Sequence, residues 1–496
     1  MGTLRLLADD DLIPQPLLNR LFVTDFEGTP CPCQATFVSE AADDPLREIQ
    51  ISVEENHSFY LQVPVRTKSG AETMISTATL RPRERPYILA LELLRGGIHR
   101  LTNQNFEWER GGFALLEAAG ERISELMKRF SSVATIPHDR ERCNSESKAI
   151  LHDAIELVSQ FSDGITDELT SMNSNAGIPT LLGGNWRDQS LSDIDIELFK
   201  SAFDTAVVDL AWPTSELSPG GFDWTRAKEQ VEICQTHGLR MISGPLLDFA
   251  PSNIPAWMEF EPSDPGQLTV RAEEFAAKAV EALAGSVHLW NVTSTMNQRQ
   301  GTGLDDQARL QLTADVVQSV RQIEPKTPIL VSFEQPWGEF LLGKDEQSAA
   351  ISPLRFADAL VRGRIGVSAL GLQLDVGSWP HGIVERNGME VLRRLDNWSR
   401  FQLPLVVFLS AASKPFADKA RSCTTHLSPT QETQALTGKR MVQLLSAHPG
   451  VQGVIWNEWM DRKDSRFPTS GIVDADGKPK LLIEVLRKMQ SAQTAE

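Results

Sequence analysis

Eight short apolar segments, separated by amphipathic helical segments, follow one another between residues 180 and 457 of this 496-residue chain. Continuous apolar runs of this kind are typical of buried parallel strands, because both faces of such strands are covered. Strict alternation with helices predicts an α/β fold whose sheet closes into a (β/α)8 TIM barrel. The predicted strands are Thr180–Gly184, Thr205–Leu210, Leu239–Leu247, Val287–Val292, Ile329–Phe333, Val367–Leu374, Leu405–Ser410 and Val454–Asn457.

The region before the barrel has a different pattern. Residues 48–53 and 58–63 alternate apolar and polar side chains, which favours strands, whereas Leu115, Ile123 and Leu126 recur at helical spacing. The strand-rich part is either a glycan-binding module or an appendage that only packs against the barrel. The predicted division is a β-rich N-terminal domain over 1–110, a helical connector over 111–177 and the barrel over 178–496.

The net charge and the cysteine content restrict which macromolecules, metals and cofactors the protein is expected to bind. The net charge is −18, which disfavours nucleic acid and anionic membranes because both require a basic surface. Cys31 and Cys33 lack the further Cys or His ligands of a zinc site, so we expect neither a metal nor a cofactor. The first residues contain no apolar core of a secretion signal, and no segment approaches transmembrane length, so a cytoplasmic location is expected.

Several segments of the barrel region resemble a known family. A tryptophan and an acidic residue precede a glycine–phenylalanine stretch after the second predicted strand, and further matching segments follow in the same order along the chain. The matching segments are Trp212–Glu216, Gly220–Trp224, His237–Gly244, Ile254–Trp257 and Gly471–Lys480. Together they are similar to the family 10 glycoside hydrolases, the xylanase-type barrels. The resemblance implies a carbohydrate ligand, an oligosaccharide or polysaccharide, at the C-terminal end of the strands.

The resemblance fails at the two positions that carry the family's chemistry. Such enzymes use two carboxyl groups, one to protonate the leaving oxygen and one to attack the sugar carbon. In the run Trp290–Thr295, which resembles the family's strand 4, Thr295 stands in the place of the acid/base glutamate. In the run Leu403–Leu409, Leu409 stands in the place of the nucleophile. A hydroxyl is too weak an acid and leucine has no electron pair to donate, so the family's double displacement is not expected.

Other polar and aromatic residues follow the predicted strands. Carboxyl groups beside aromatic rings suit a sugar, whose CH groups stack on the ring while its hydroxyls donate to oxygens. The candidate catalytic residues are Glu334, Glu458 and Asp375, and the candidate substrate-binding residues are Trp290, Asn291, Trp337, Trp379, Trp456 and Asp248. In the alternative interpretation the tryptophans plug the barrel and the carboxylates bind loop backbone.

Three functional hypotheses therefore remain open. The first is a divergent O-glycosyl hydrolase of the endo-β-glycanase or xylanase type, acting in polysaccharide or oligosaccharide metabolism. In it Glu334 and Glu458 approach a sugar from opposite sides, as an inverting mechanism requires. The second is a catalytically inactive glycan-binding or scaffolding protein. The third is a barrel adapted to some other small ligand, because a fold does not determine a function.

Overall fold

The computed structural model describes most of the chain. The described residues are 2–13, 18, 20–25, 28–38, 45–54, 57–68, 72–112, 117–176, 180–187, 189–250, 253–258, 265–298, 304–339, 351–376, 382–415, 429–463 and 465–494. The candidate residue Trp379 lies outside them. None of the described helices is both long enough and apolar enough to cross a membrane.

The N-terminal region forms two four-stranded sheets whose side chains share one buried core. Strands β4, β5, β1 and β8 form the first sheet in that order, and β3, β2, β6 and β7 form the second. The strands are β1 (Gly2–Ala8), β2 (Phe22–Thr24), β3 (Pro30–Cys31), β4 (Cys33–Phe37), β5 (Arg47–Val53), β6 (Tyr60–Arg66), β7 (Glu72–Ser76) and β8 (Tyr87–Ile88).

Three helices connect these sheets to the barrel: α1 (Leu89–Gly111), α2 (Glu117–Ala134) and α3 (Arg140–Ala176). The change from strand to helix occurs at Leu89, earlier than the expected start at residue 111, because the apolar stripe of α1 continues directly from β8. Helix α3 contacts both the N-terminal region and the barrel. Its Lys148 binds Asp9 at 2.7 Å, and the hydroxyl of its Ser162 accepts a hydrogen bond from Met389 N, at the start of a barrel helix.

The predicted barrel is confirmed. Eight parallel strands close into a ring, since the third barrel strand also pairs with the fourth. The barrel strands are β9 (Leu181–Asn185), β10 (Thr205–Val208), β13 (Arg240–Ser243), β15 (Leu289–Ser294), β16 (Ile329–Glu334), β17 (Ala369–Val376), β18 (Leu405–Ala411) and β19 (Val451–Trp456). Short strands in the loops are β11 (Glu216–Ser218), β12 (Gly221–Phe222) and β14 (Leu247–Asp248).

Helices cover the outside of this ring. Their ends follow the capping chemistry of the sequence: Ser192 and Asp195 form a capping box, and α6 ends at Gly238 with φ 66°. The helices are α4 (Asp193–Lys200), α5 (Trp212–Ser215), α6 (Thr225–His237), α7 (Pro265–Leu283), α8 (Asp306–Ile323), α9 (Pro353–Arg362), α10 (Gly388–Ser399), α11 (Gln431–Ala447) and α12 (Leu481–Thr494).

The interior of the barrel is filled by a separate apolar cluster that seven of the strands supply. Because side chains alternate along a strand, this cluster defines which positions point inward and which point to the helices. Its members are Val207, Ile242, Leu289, Leu330, Ala369, Val406, Phe408 and Ile455.

The N-terminal sheets pack on the loops that follow β16 and β17. Phe22 and Met74 form a buried cluster with Val384, and Met74 N donates to Glu385 O at 2.9 Å. Gly338 has φ 117°, and a Cβ atom there would lie 2.7 Å from Pro30. Both loops belong to the C-terminal face of the barrel, so the N-terminal region borders the face that carries active sites in this fold.

Two adjacent glycines of α1 provide a test of this packing. A Cβ atom at Gly96 would lie 2.3 Å from the carbonyl carbon of Thr77, whereas a Cβ atom at Gly97 would meet nothing within 4 Å. We expect Gly96→Ala to destabilise the protein by about 1–3 kcal/mol through overpacking. Gly97→Ala is the matched control and should stabilise it by up to about 1 kcal/mol through helix propensity. Thermal unfolding of both variants measures this, and equal midpoints would contradict the packing.

Candidate functional site

Polar side chains point inward at the C-terminal ends of six barrel strands. In the strand register Glu334 lies beside Gln373, and Asp375 lies beside Ser410. Each is two, four or six residues beyond a member of the interior apolar cluster on the same strand, so it faces the barrel interior as that member does. This polar ring, a name we keep below, consists of Asn185, Asn291, Glu334, Gln373, Asp375, Ser410 and Asn457.

Glu334 is buried and forms an ion pair with Arg466. Arg466 comes from the loop after β19 and reaches across the mouth of the barrel to β16. Burial raises the pKa of the Glu334 carboxyl, Arg466 opposes this, and the nearby Asp248 adds to the rise. The pKa of Arg466 is raised, because its attraction to Glu334, Asp375 and Asp248 outweighs the opposing effect of burial. The carboxylate is therefore neutralised by the protein itself.

Asp375 is the second buried carboxyl group of the ring. It accepts hydrogen bonds from Ser410 Oγ and from Asn457 Nδ2, the latter at 3.3 Å. Burial raises its pKa to about 6, and Glu334 contributes, whereas Arg466, Ser410 and Asn457 act in the opposite direction. Asp375 thus titrates near neutral pH, in the range that suits a general acid or base.

Glu458 forms a second group at the mouth. Its Oε1 accepts from Arg187 Nη2 at 3.2 Å and from Ser465 Oγ at 2.7 Å. Its Oε2 is buried and has no hydrogen-bond partner among the described residues. Arg187 follows β9, and its pKa is raised because Glu458, Asp209 and Asp248 outweigh burial. Glu334 and Glu458 therefore each contact an arginine, and the loop after β19 contributes to both groups.

Thr295, which the resemblance matched to the acid/base glutamate, forms hydrogen bonds within the structure. Thr295 Oγ1 donates to Asp248 Oδ1 at 2.9 Å and accepts from Phe249 N at 3.0 Å. Asp248 also accepts from Ala250 N at 2.9 Å and from Asn253 Nδ2 at 2.7 Å. The candidate Asp248 is thus held by its own loop, and Thr295 joins that loop to β15.

Leu409, which the resemblance matched to the nucleophile position, points away from the barrel interior. Leu409 is fully buried in the core shared with the helices, whereas Phe408 belongs to the interior cluster. The inward side chain at this strand end is therefore Ser410, which donates to Asp375. The chemical consequence is unchanged, since neither side chain carries a carboxyl group.

Three tryptophans expected at the mouth lie elsewhere. Trp290 is fully buried next to the inward Leu289, so it points to the helices, and its indole nitrogen has no hydrogen-bond partner in the described part of the chain. Trp456 donates to Ser470 O at 2.8 Å and lies against Gly438 of α11. The alternation of side chains along each strand accounts for both. Trp337 is buried beside the N-terminal sheets.

The remaining binding candidate, Asn291, does point into the barrel. It is buried, and its Oδ1 accepts from Ser332 Oγ at 2.9 Å. Close to it, Gly244 lets two backbones approach, because a Cβ atom there would lie 2.1 Å from Asn291 O. Asn291 therefore forms part of the floor below the other polar groups.

The backbone is constrained where three barrel strands end. Arg187, Thr295 and Gln335 have φ values of 56°, 63° and 45°, in the left-handed region that non-glycine residues rarely adopt. They follow β9, β15 and β16. Strained residues of this kind cluster at functional sites, where the surrounding structure holds them in place.

Sequence reasoning missed the arginines of the mouth and one aromatic residue. Arg187 and Arg466 lie in loops, and no strand pattern indicates which loop residue folds back over the barrel. Trp257, in the loop after β13, is partly exposed and donates from its indole nitrogen to Glu216 O at 2.7 Å. Its position in a segment that resembles the xylanases was the available signal.

No protein-family model matches the sequence, and no curated protein matches it significantly. Xylanase 10B from Thermotoga maritima has 13% identity and a TM-score of 0.48, covering 65% of this chain and 99% of that chain. The GH10 structure from Paenibacillus barcinonensis has 16% identity and a TM-score of 0.48, covering 64% and 96%. Xylanase 10B from Thermotoga petrophila RKU-1, in complex with xylobiose, has 14% identity and a TM-score of 0.47, covering 64% and 96%. The structural neighbours of this chain are family 10 xylanases.

Proposed function

We propose that this protein is a xylanase-like barrel that binds a carbohydrate ligand at the polar ring and does not hydrolyse it by the xylanase mechanism. The observation that carries this proposal is the pairing of Glu334 with Arg466 and of Glu458 with Arg187. A carboxylate that is held in an ion pair by a guanidinium must break that pair before it can attack a sugar carbon or take a proton from water. The same groups are suitable hydrogen-bond partners for hydroxyl groups.

The composition of the mouth supports a sugar-like ligand. The amides of Asn185, Gln373 and Asn457 each combine a donor and an acceptor, and part of this capacity is used within the ring, where Asn457 Nδ2 donates to Gln373 Oε1 at 3.1 Å. The arginine side chains of the mouth carry further donors. Arg187 and Arg466 retain 33% and 29% side-chain exposure, so solvent reaches the groups at the entrance. Trp257 could supply the apolar face on which a sugar ring stacks.

The residues at the two positions that the resemblance matches to catalytic carboxyl groups support the non-hydrolytic part of the proposal. Thr295 is engaged with Asp248 and Phe249, and the inward residue at the end of β18 is Ser410. Neither side chain can form a glycosyl-enzyme intermediate in the way a carboxylate does.

Calorimetric titration with neutral β-linked oligosaccharides, beginning with xylo-oligosaccharides, tests the binding. We expect saturable binding that Trp257→Ala weakens at least about 10-fold, because stacking and area burial are lost together. Phe106→Ala is the matched control, since Phe106 is a 58% exposed aromatic residue on α1, outside the barrel. Wild-type protein that binds no oligosaccharide of the panel would refute the proposal.

One observation favours hydrolysis as a second candidate function. The pKa of Asp375 is raised to about 6 by burial, which would keep part of the population protonated near neutral pH, as a general acid requires. Glu334 or Glu458 would then have to release its arginine to act on water. Release of new reducing ends that Asp375→Asn abolishes would favour this candidate.

A further inference from the structure

A small cavity lies between the N-terminal sheets and the barrel, and none of its residues belongs to the polar ring. Proline and tryptophan side chains form apolar walls, and polar groups face it from two barrel helices. The residues that matter here are Pro30 from the N-terminal region, Trp337, Ser352 and Pro353 at the start of α9, and Arg394 and Asn397 of α10.

Two donors beside this cavity are buried without an acceptor among the described residues. Arg394 is 5% exposed; its Nε donates to Glu390 Oε1 at 3.0 Å and its Nη1 to Trp337 O at 3.3 Å, while its Nη2 has no partner. The indole nitrogen of Trp337 is likewise unpartnered, and Trp337 is 2% exposed. A buried donor left without an acceptor costs about 1–3 kcal/mol, and more when it is charged.

The buried Glu390 lies among several arginines, one of which lines the cavity. Arg100, Arg386, Arg393 and Arg394 lower the pKa of Glu390 to about 2, against the opposing effect of burial. Arg394 shares Glu390 with Arg393, and it keeps an Nη2 without a partner among the described residues beside the cavity. Buried charges are normally paired, so this donor favours a negative partner in the cavity.

The start of α9 adds a further feature that favours an anion. Ser352 is the N-cap and Pro353 the first residue of this 10-residue helix, and both line the cavity. The N-terminus of a helix carries a partial positive charge and attracts anions. The helix end alone would not define a site, but here it coincides with the unpartnered Nη2 of Arg394 and the unpartnered indole nitrogen of Trp337.

We propose that this cavity binds one small oxyanion, such as phosphate, sulfate or the carboxylate of a small organic acid. The cavity measures only about 10 Å³, so its lining side chains must shift to admit one oxyanion, and larger phosphorylated ligands do not fit. Because Pro30 belongs to the N-terminal sheets and Arg394 to a barrel helix, the bound anion lies in the joint between the two regions. It stabilises the docking of the N-terminal region on the barrel.

The test is thermal unfolding of the full-length chain at increasing concentrations of phosphate, sulfate and acetate, with sodium chloride at matched ionic strength as reference. We expect a saturable rise of the wild-type Tm by roughly 2–5 °C in an oxyanion over chloride. Arg394→Gln should abolish the rise, and Trp337→Phe, which removes only the indole N–H, should weaken the apparent affinity at least about 10-fold. Arg362→Gln is the matched control, since the Arg362 side chain is 80% exposed.

The possible results distinguish an anion in this cavity from a water molecule there and from an anion at the barrel mouth. If Arg394→Gln fails to fold, Trp337→Phe and Asn397→Ala carry the test, because both leave the ion pairs in place. A wild-type Tm that responds to ionic strength alone would overturn the proposal and leave a water molecule as the occupant. A saturable response that survives in the cavity variants but disappears in Arg466→Gln would also overturn it, by placing the anion at the barrel mouth.

Discussion

Replacing Arg466 by glutamine is expected to destabilise the protein by about 3 kcal/mol, because the buried Glu334 then lacks its counter-charge. This is the lower end for a buried pair, since the Arg466 side chain is 29% exposed while Glu334 is 6% exposed. The sign of the pH dependence follows from the raised pKa of Glu334. Without Arg466 the pKa of Glu334 rises further. The loss of stability is therefore largest at alkaline pH, and it shrinks as acid protonates the Glu334 carboxyl. Thermal unfolding at pH 5 and pH 8 measures both effects.

Two controls make this result specific. The double variant Glu334→Gln/Arg466→Gln should recover most of the lost stability at pH 5, where Asp375 is largely protonated, because the side chain at position 334 then carries no charge. Arg487→Gln removes an exposed ion pair on α12 and should change stability by less than about 0.5 kcal/mol. If Arg466→Gln behaves like Arg487→Gln, the proposed neutralisation of Glu334 is wrong.

Replacing Asp375 by asparagine should stabilise the protein at neutral and alkaline pH. The folded-state pKa of Asp375 is raised from 3.8 to about 6, so its favourable contribution is fully present below 3.8 and is lost as pH rises through about 6. Above that pH the buried charge lowers wild-type stability by up to about 3 kcal/mol, which a neutral side chain avoids. Asparagine keeps an oxygen that can accept from Ser410 and Asn457.

The measurement compares the unfolding of wild type and Asp375→Asn across the pH range. We expect the stability difference to be small near pH 4, to grow between pH 4 and pH 6 and to stay constant above pH 7. Asp375→Ala is the control that removes the oxygen as well, and it should be less stable than Asp375→Asn at every pH. A difference that does not change with pH would mean that Asp375 is not the group titrating near pH 6.

The fold was predictable from the sequence because the strongest signals are periodic and local. Apolar runs separated by helices predicted eight strands, and all eight barrel strands lie where those runs are. Capping residues such as Ser192 and Gly238 marked helix ends for stereochemical reasons. The start of α1 at Leu89 was missed, because a strand rich in leucine and a buried helix share the same composition.

The candidate site was predictable only in part. Position at a strand end predicted that Glu334 and Asp375 face the mouth, and in the strand register they lie beside Gln373 and Ser410. The same reasoning failed for Trp290 and Trp456, because an error of one residue in the strand end moves a side chain to the opposite face. Arg466 could not be found in this way, since its contact with Glu334 spans 132 residues of sequence.

The central claim is that the barrel mouth binds a carbohydrate without cleaving it. The most direct measurement is product analysis of the tightest-binding oligosaccharide after prolonged incubation with stoichiometric protein, run in parallel with the binding titration. We predict saturable binding and no release of reducing ends above the spontaneous rate, for wild type and for Asp375→Asn alike. Cleavage by the wild type that disappears in Asp375→Asn, Glu334→Gln or Glu458→Gln would contradict the claim and establish a hydrolase.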